Sequence, residues 1–456
     1  MATMTAQHQH RYPFSATASP QVVVISRRKY TPTTRVEHFL LILNIVLLPM
    51  EEALPNPGGF SVGFFLFAIS SIYIISQRFG SIAHIWNHPV FLASYVFLLL
   101  SLIFEGCSAF ASYKEIIRIA QMFMGVIVIA TLCRDTRALR VCIAGYILMG
   151  IYLSLYLFLT SYGALQGATA TDFDEASRVR AEVFQENSLQ ANVNNIAFFL
   201  AQAAAVTLAI ALMSRSAFAR YSLFGITALC FIASFLPLSR SGTAITLIAG
   251  VAVMLAYIGT NRRASFQRIM RIIVLMLGLG ACLLVWVPPA VFSRLTVPAE
   301  KSDGTTDART RVYQAAWNHL PEYWLAGVGA GNFWEGSWGK HSEYFQRHGV
   351  LGAHNCFIQI AIYWGLPGLL SLLSIVYCAY KSLPKECGND PLSLAVLGVA
   401  VALFGVMFVM HNLEFKGFSL GLGLLVGAQH WIWPAGETKF LGNMSRKTLA
   451  ESGIAS

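Results

Sequence analysis

Arg240, Arg309, Arg311 and His354 are residue types that a plain apolar bundle has no use for. Arg240 sits in Ser239-Arg240-Ser241-Gly242, between two apolar runs with almost no loop. An arginine at a hydrocarbon boundary costs free energy unless it snorkels or faces a wet, paired cavity. Flanking Ser239 and Ser241, with Pro237 and Gly242 to bend the backbone, make it an anion clamp; a snorkelling interface arginine is the plainer reading. His354 precedes Asn355 where another apolar run begins. A histidine there meets the positive end of a helix dipole, which disfavours its charged form. A neutral imidazole can take a proton, so His354 reads as a general base, against a structural helix-end histidine.

Arg309 and Arg311 open RTRVYQAAWNHLPEYWLAGVGAGNF, inside a polar interval over 291–352. Tyr313, Trp317, Leu320 and Trp324 follow at steps of four, three and four, one stripe of a helix suited to a membrane–water interface. Pro321 is predicted to kink or end that helix. The two arginines stand at its N-terminal edge, within reach of a ligand head group at the bilayer surface. Gly327-Val328-Gly329-Ala330-Gly331 follows no strand, so a tight turn is a better reading than a phosphate-cradling loop.

A second polar stretch covers 161–188 and the start of the next apolar run. It holds Arg178, Arg180, Gln190, Asn192, Asn194 and Asn195. Amides at the start of a span line a hydrophilic cavity, or Asn187 or Ser188 simply caps the helix. Arg178 and Arg180 are weaker ligand candidates than Arg240.

The elements that must position these residues are membrane helices. The chain has 456 residues, 56% hydrophobic and 12% charged, with mean hydropathy +0.58; soluble domains carry about twice that charge. An all-α integral membrane protein is predicted, with about twelve spans of roughly 20 residues. Their centres fall in 37–50, 59–76, 89–104, 115–133, 138–160, 189–213, 221–238, 242–259, 272–289, 355–380, 391–411 and 417–433. The spans form a domain over 37–433, flanked by cytoplasmic polar tails over 1–36 and 434–456. A β-barrel would alternate in shorter segments instead. Basic residues fall on alternate loops: Arg27, Arg28, Lys29 and Arg35; Arg134, Arg137 and Arg140; Arg215 and Arg220; Arg262, Arg263, Arg268 and Arg271; Lys381 and Lys385. Positive charge marks the cytoplasmic side. The net charge of +10 is therefore mostly orientation, not a nucleic-acid footprint. The opposite face holds 161–188, the Arg240 junction and the loop 291–352 with its short amphipathic helices.

No cleavable signal peptide is evident in the first 30 or so residues. The eight cysteines are scattered without a CxxC, which favours core thiols over disulfides or a metal site. No internal repeat or appended soluble domain is read.

In order and sidedness, these motifs resemble the O-antigen ligase and O-antigen polymerase superfamily of bacterial membrane glycosyltransferases. The resemblance lies in SRSG at an outer span boundary, an arginine opening a helix upstream of GVGAGNF, and AHN followed by GLPGLL; it covers roughly 180–375. It implies a polytopic helical bundle in the inner membrane with one large periplasmic loop between late spans. It also implies transfer of a glycan from an undecaprenyl-diphosphate carrier to an acceptor hydroxyl at the periplasmic face. Arg240 matches the SRSG arginine, Arg309 the loop-helix arginine with Arg311 as the alternative, and His354 the histidine of the HN motif; Ser239, Ser241 and Asn355, beside them, are expected to bind the substrate with Arg311, Arg178 and Arg180. Trp324 departs from the proline expected before the GxG turn, which leaves the choice between Arg309 and Arg311 open.

Guanidinium groups match phosphate oxygens bidentately, so converging arginines can do what a metal does elsewhere. No cofactor and no metal are expected, and direct displacement implies inversion. Trp334, Trp338, Tyr344 and Phe345 suit sugar stacking or, with the edge, interface anchoring. A ligase acting on lipid A-core is narrowly favoured over a polymerase or a protein O-oligosaccharyltransferase. A transporter or flippase for a lipid-linked glycan would want inverted halves and midplane charges.

Overall fold

A computed structural model describes residues 32–49, 62–82, 85–108, 113–162, 193–260, 270, 313–330 except 315 and 319, 353, 355–384, 387–410 and 416–432. All but Pro32 belong to one compact unit, Thr33–Ser456. The regular structure of the described residues is helical: α1 Arg35–Leu47, α2 Val62–Ile82, α3 Pro89–Gly106, α4 Tyr113–Cys133, α5 Thr136–Leu157, α6 Val193–Met213, α7 Ala217–Ala233, α8 Arg240–Thr260, α9 Cys356–Lys381, α10 Pro391–Val409 and α11 Lys416–Ile432. A π-helical turn, Phe158–Tyr162, continues α5. Eight of these helices are long and apolar enough to cross a membrane. The protein is an all-α integral membrane protein. The span expected over 272–289 lies outside the described residues, as do the tails over 1–31 and 433–456.

The helices start where side chains satisfy their first free N–H groups. Thr34 and Glu37 form a capping box on α1. Asp135 caps α5, Ser216 caps α7, and Asp390 caps α10 ahead of Pro391. The helix α2 runs six residues past its predicted end at 76. Arg78, with non-helical φ/ψ, sits in that extension. It is tolerated because its guanidinium pairs bidentately with Glu37 of α1, Nη2 lying 2.7 Å from Oε2, both side chains nearly fully buried.

At the centre is α6, packed on α5, α7, α8 and α10. Its face is small: Ala197, Ala203 and Ala205 are buried. A Cβ added at Gly150 of α5 would lie 2.7 Å from the Ala203 Cβ; one at Gly398 of α10 would lie 2.8 Å from the Ala205 Cβ. Small residues on both sides let backbones approach closely, which drives helix packing where surrounding lipid is as apolar as the core. The α4–α11 pair does the same, with Gly423 and Gly427 against Ile129 and Cys133.

The contacts sort the helix ends into two sets. At one end the Thr33 hydroxyl and N–H donate to Asp135 at 2.6 and 2.8 Å. There too Arg134 donates to the Ser81 carbonyl and Arg220 to that of Ser214. The basic stretches at 134–140 and 215–220, and Lys381, share this end. The opposite end holds the α7–α8 junction and the start of α9.

Candidate functional site

The α7–α8 junction turns sharply over 234–237 and passes through Leu238, whose φ of 55° is left-handed. That conformation is costly for a branched side chain, of order 1–3 kcal/mol, and the buried Leu238 side chain holds it. The turn lets the Ser239 hydroxyl accept the Gly242 N–H at 3.2 Å and its carbonyl accept the Thr243 N–H at 3.0 Å. The Thr243 hydroxyl ties α8 back to Ser234 of the α7 end at 3.2 Å. Ser239 is therefore a cap, and Arg240 is the first residue of α8, half-buried beside Ser241.

The amide-rich start of α6 belongs to the same place. A Cβ at Gly242 would lie 2.3 Å from the Ala197 Cβ. Both helices run inward from this end, so Arg240 and Asn195, each two residues earlier, lie level, about 3 Å outward of that contact. Asn195 is buried, and its side-chain oxygen lacks a hydrogen-bond partner among the described residues. The two motifs treated separately in the sequence are brought together.

The mouth of α9 comes to this end through α10. The Asn355 side-chain oxygen accepts the Phe357 and Ile358 N–H groups at 2.9 and 3.1 Å, capping α9. Its amide nitrogen donates to the Phe408 carbonyl at 3.2 Å, and the Cys356 thiol donates to that of Met410 at 3.1 Å. The α8 helix meets α10 nearby, with Ile245 3.1 Å from a Cβ built on Gly405. Arg240 is five residues outward of Ile245, about 7.5 Å, and Phe408 three outward of Gly405, about 4.5 Å. Arg240 and Asn355 thus flank the same end of α10. His354, next to Asn355, lies outside the described residues. So do Arg178, Arg180, Arg309, Arg311, Trp334, Trp338, Tyr344 and Phe345.

The helical residues of 313–323 run past Pro321 to Tyr323, and the turn comes at 324–326. Trp317 and Trp324 are exposed, while Ala316 and Tyr323 face inward, the Tyr323 hydroxyl donating to the Ala316 carbonyl. Burial, with Glu322 adjacent, pushes the Tyr323 hydroxyl up to about 12. The glycine turn that follows is a tight turn with a specific task. α9 is broken at Trp364 and at Gly365, whose φ is 63°. Pro367 has no N–H for the Tyr363 carbonyl, and the Leu366 N–H turns away to the Trp324 carbonyl at 2.7 Å. The two stranded carbonyls accept instead from the turn: Val328 N–H to Ile362 at 2.8 Å and Gly329 N–H to Tyr363 at 2.9 Å. A broken span re-satisfied by protein in this way is what hydrocarbon surroundings demand.

Sequence reasoning missed Glu105, in the last turn of α3. It is fully buried and accepts from the Ala330 N–H at 2.9 Å and the Trp364 indole N–H at 3.0 Å. A single acid ending an apolar span was the available signal. Among the described residues no three His, Cys, Asp or Glu side chains gather as metal ligands; the seven described cysteines are free.

Residues 225–373, about a third of the chain, match the family model described as O-antigen ligase. The match spans the Arg240 junction, the loop arginines, the glycine turn and the start of α9. No curated protein matches the chain.

Proposed function

We propose that this chain, which carries a domain of the O-antigen ligase superfamily and so acts in glycan transfer during polysaccharide assembly, moves a glycan from an undecaprenyl-diphosphate carrier to an acceptor hydroxyl. The reaction takes place at the bundle end opposite the basic loops, the periplasmic side of the inner membrane. The observation that supports this most is the meeting of the Arg240 junction, the α6 amides and the α9 mouth around the end of α10.

Arg240, with Arg309 or Arg311, holds the diphosphate by planar, permanently charged forks. His354 takes the acceptor proton as the hydroxyl oxygen attacks the anomeric carbon. The bond from that carbon to the diphosphate oxygen breaks, its electron pair leaves on undecaprenyl diphosphate, and the arginines stabilise the added charge. One displacement inverts the anomeric centre, and the reading assigns no metal. Asn355 is occupied in capping α9 and in tying it to α10, so its part is to orient the neighbouring histidine. The acceptor is lipid A-core in the ligase reading. A polymerase would present a carrier-linked chain to the same groups.

A transporter reading fits the α9 break poorly. Discontinuous helices in transporters leave backbone carbonyls for an ion or substrate, whereas Ile362 and Tyr363 here are taken by Val328 and Gly329. Purified protein with carrier-linked glycan and separate lipid A-core or carrier-linked acceptors tests the assignment. Transfer to lipid A-core supports the ligase, and elongation of the carrier-linked chain alone supports the polymerase. Movement of the lipid across a vesicle without any new glycosidic bond sinks both.

A further inference from the structure

Glu105 ties three parts of the chain that are far apart in sequence. Its own helix is α3. One hydrogen-bond donor, the Trp364 indole, marks the break in α9, and another, the Ala330 N–H, ends the glycine turn. Ser108, one turn on, adds a hydroxyl bond to the Val328 carbonyl at 3.1 Å. The fit is close. A Cβ at Gly329, where φ is 82°, would lie 2.2 Å from the Ser108 hydroxyl oxygen.

The turn follows directly on the helical residues of 313–323, at whose head Arg309 and Arg311 stand in the sequence. The part of α9 outward of the break begins at Asn355, next to His354. A buried carboxylate in an apolar helix is costly to keep unless its oxygens are well used.

Resting on the glycan-transfer reading above, we propose that Glu105 is a positioning residue that locks the arginine-bearing loop segment to the helix whose mouth carries His354. Group transfer is sensitive to such registration, since a misplacement of about 1 Å can cost on the order of a hundredfold. Glu105 touches neither donor nor acceptor. It acts by holding the turn in the α9 break, so an uncharged side chain with the same carbonyl oxygen serves in its place.

The test combines hydrogen exchange of the 327–330 amides with transfer kinetics on full-length protein, for the parent, Glu105→Gln, Glu105→Leu and Gly329→Ala. Gly329→Ala opens the clasp while leaving Glu105 in place, which guards against a folding failure of Glu105→Leu. Expected are slow exchange and turnover within about threefold of the parent for Glu105→Gln, and fast exchange with kcat down on the order of tenfold or more for the other two, donor KM nearly unchanged. Parent transfer with undiminished kcat in both disrupting variants overturns the positioning role alone. Equal loss of kcat in Glu105→Gln with exchange still slow also overturns it, because charge and not registration would then be at work. Absence of transfer by the parent overturns the glycan-transfer reading, and this role with it.

Discussion

The Cβ of Ala197 lies where a side chain at Gly242 would have to go, 2.3 Å from a Cβ built there. That contact sets the distance between the starts of α6 and α8, and with it the relation of Arg240 to the buried Asn195 amide. Gly242→Ala is expected to push the helices apart, at about 1–3 kcal/mol, and to lower transfer. Adding Ala197→Gly should restore both. Thermal stability and transfer of the single and double variants check this; an unaffected Gly242→Ala would show that the close approach does not position the junction.

Arg240→Ala and Arg309→Ala are each expected to abolish transfer while the protein still accumulates in the membrane. Lysine at either place should rescue poorly, since a point charge does not reproduce the planar fork. Loss in Arg311→Ala with Arg309→Ala active would move the clamp by two residues. Near-normal transfer by Arg240→Ala at normal protein level would remove the clamp from the mechanism.

The bundle end carrying Asp135 should behave independently. Burial would raise the Asp135 carboxyl, but the Thr33 hydroxyl and N–H and the Arg137 N–H outweigh it and hold it below the ordinary range. A depressed acid contributes stability that is present above its unfolded value, about 3.9, and is lost as pH falls through the lower folded value. Melting temperature in detergent should therefore drop at the acid end of a titration from pH 7 to pH 2, and drop less in Asp135→Asn. Parallel curves for the two proteins would refute the link.

Glu37 and Arg78 offer a second structural test. Glu37→Ala removes the carboxylate that a buried guanidinium pairs with and should cost about 3–5 kcal/mol, while Glu37→Met with Arg78→Met should cost much less. Unfolding in mixed micelles of the parent, Glu37→Met, Arg78→Met and the double variant measures the cycle, and additive losses would mean that the pair is not coupled.

Sidedness is checked by cysteine labelling at Ser302 and Lys381, which is exposed at the end of α9. Ser302→Cys should react from the periplasm and Lys381→Cys only from the cytoplasm. Labelling of Ser302→Cys from the cytoplasm alone would place the arginines on the wrong face for this donor.

Much of this was legible in the sequence, because hydropathy and loop charge are one-dimensional signals. The starts of α8 and α9, at Arg240 and Cys356, fall within two residues of expectation, since SRSG and HN punctuate long apolar runs. The α2 extension was not, since Arg78 looks like an end until Glu37 is seen beside it. The break in α9 was missed for a similar reason. Pro367 sits in an apolar run, and the groups that make the break tolerable, Val328 and Gly329, are more than thirty residues upstream. Glu105 was overlooked because its donors, Ala330 and Trp364, are brought to it only by the fold.

The most direct measurement is transfer by purified protein in lipid nanodiscs, supplied with undecaprenyl-diphosphate-linked glycan and a hydroxyl acceptor, for the parent and His354→Ala. The account requires a new glycosidic bond of inverted configuration and free undecaprenyl diphosphate from the parent, in the presence of chelator. It also requires His354→Ala to bind the donor and release no product. Full turnover by His354→Ala, or parent activity lost on chelation and restored by a divalent ion, would contradict it.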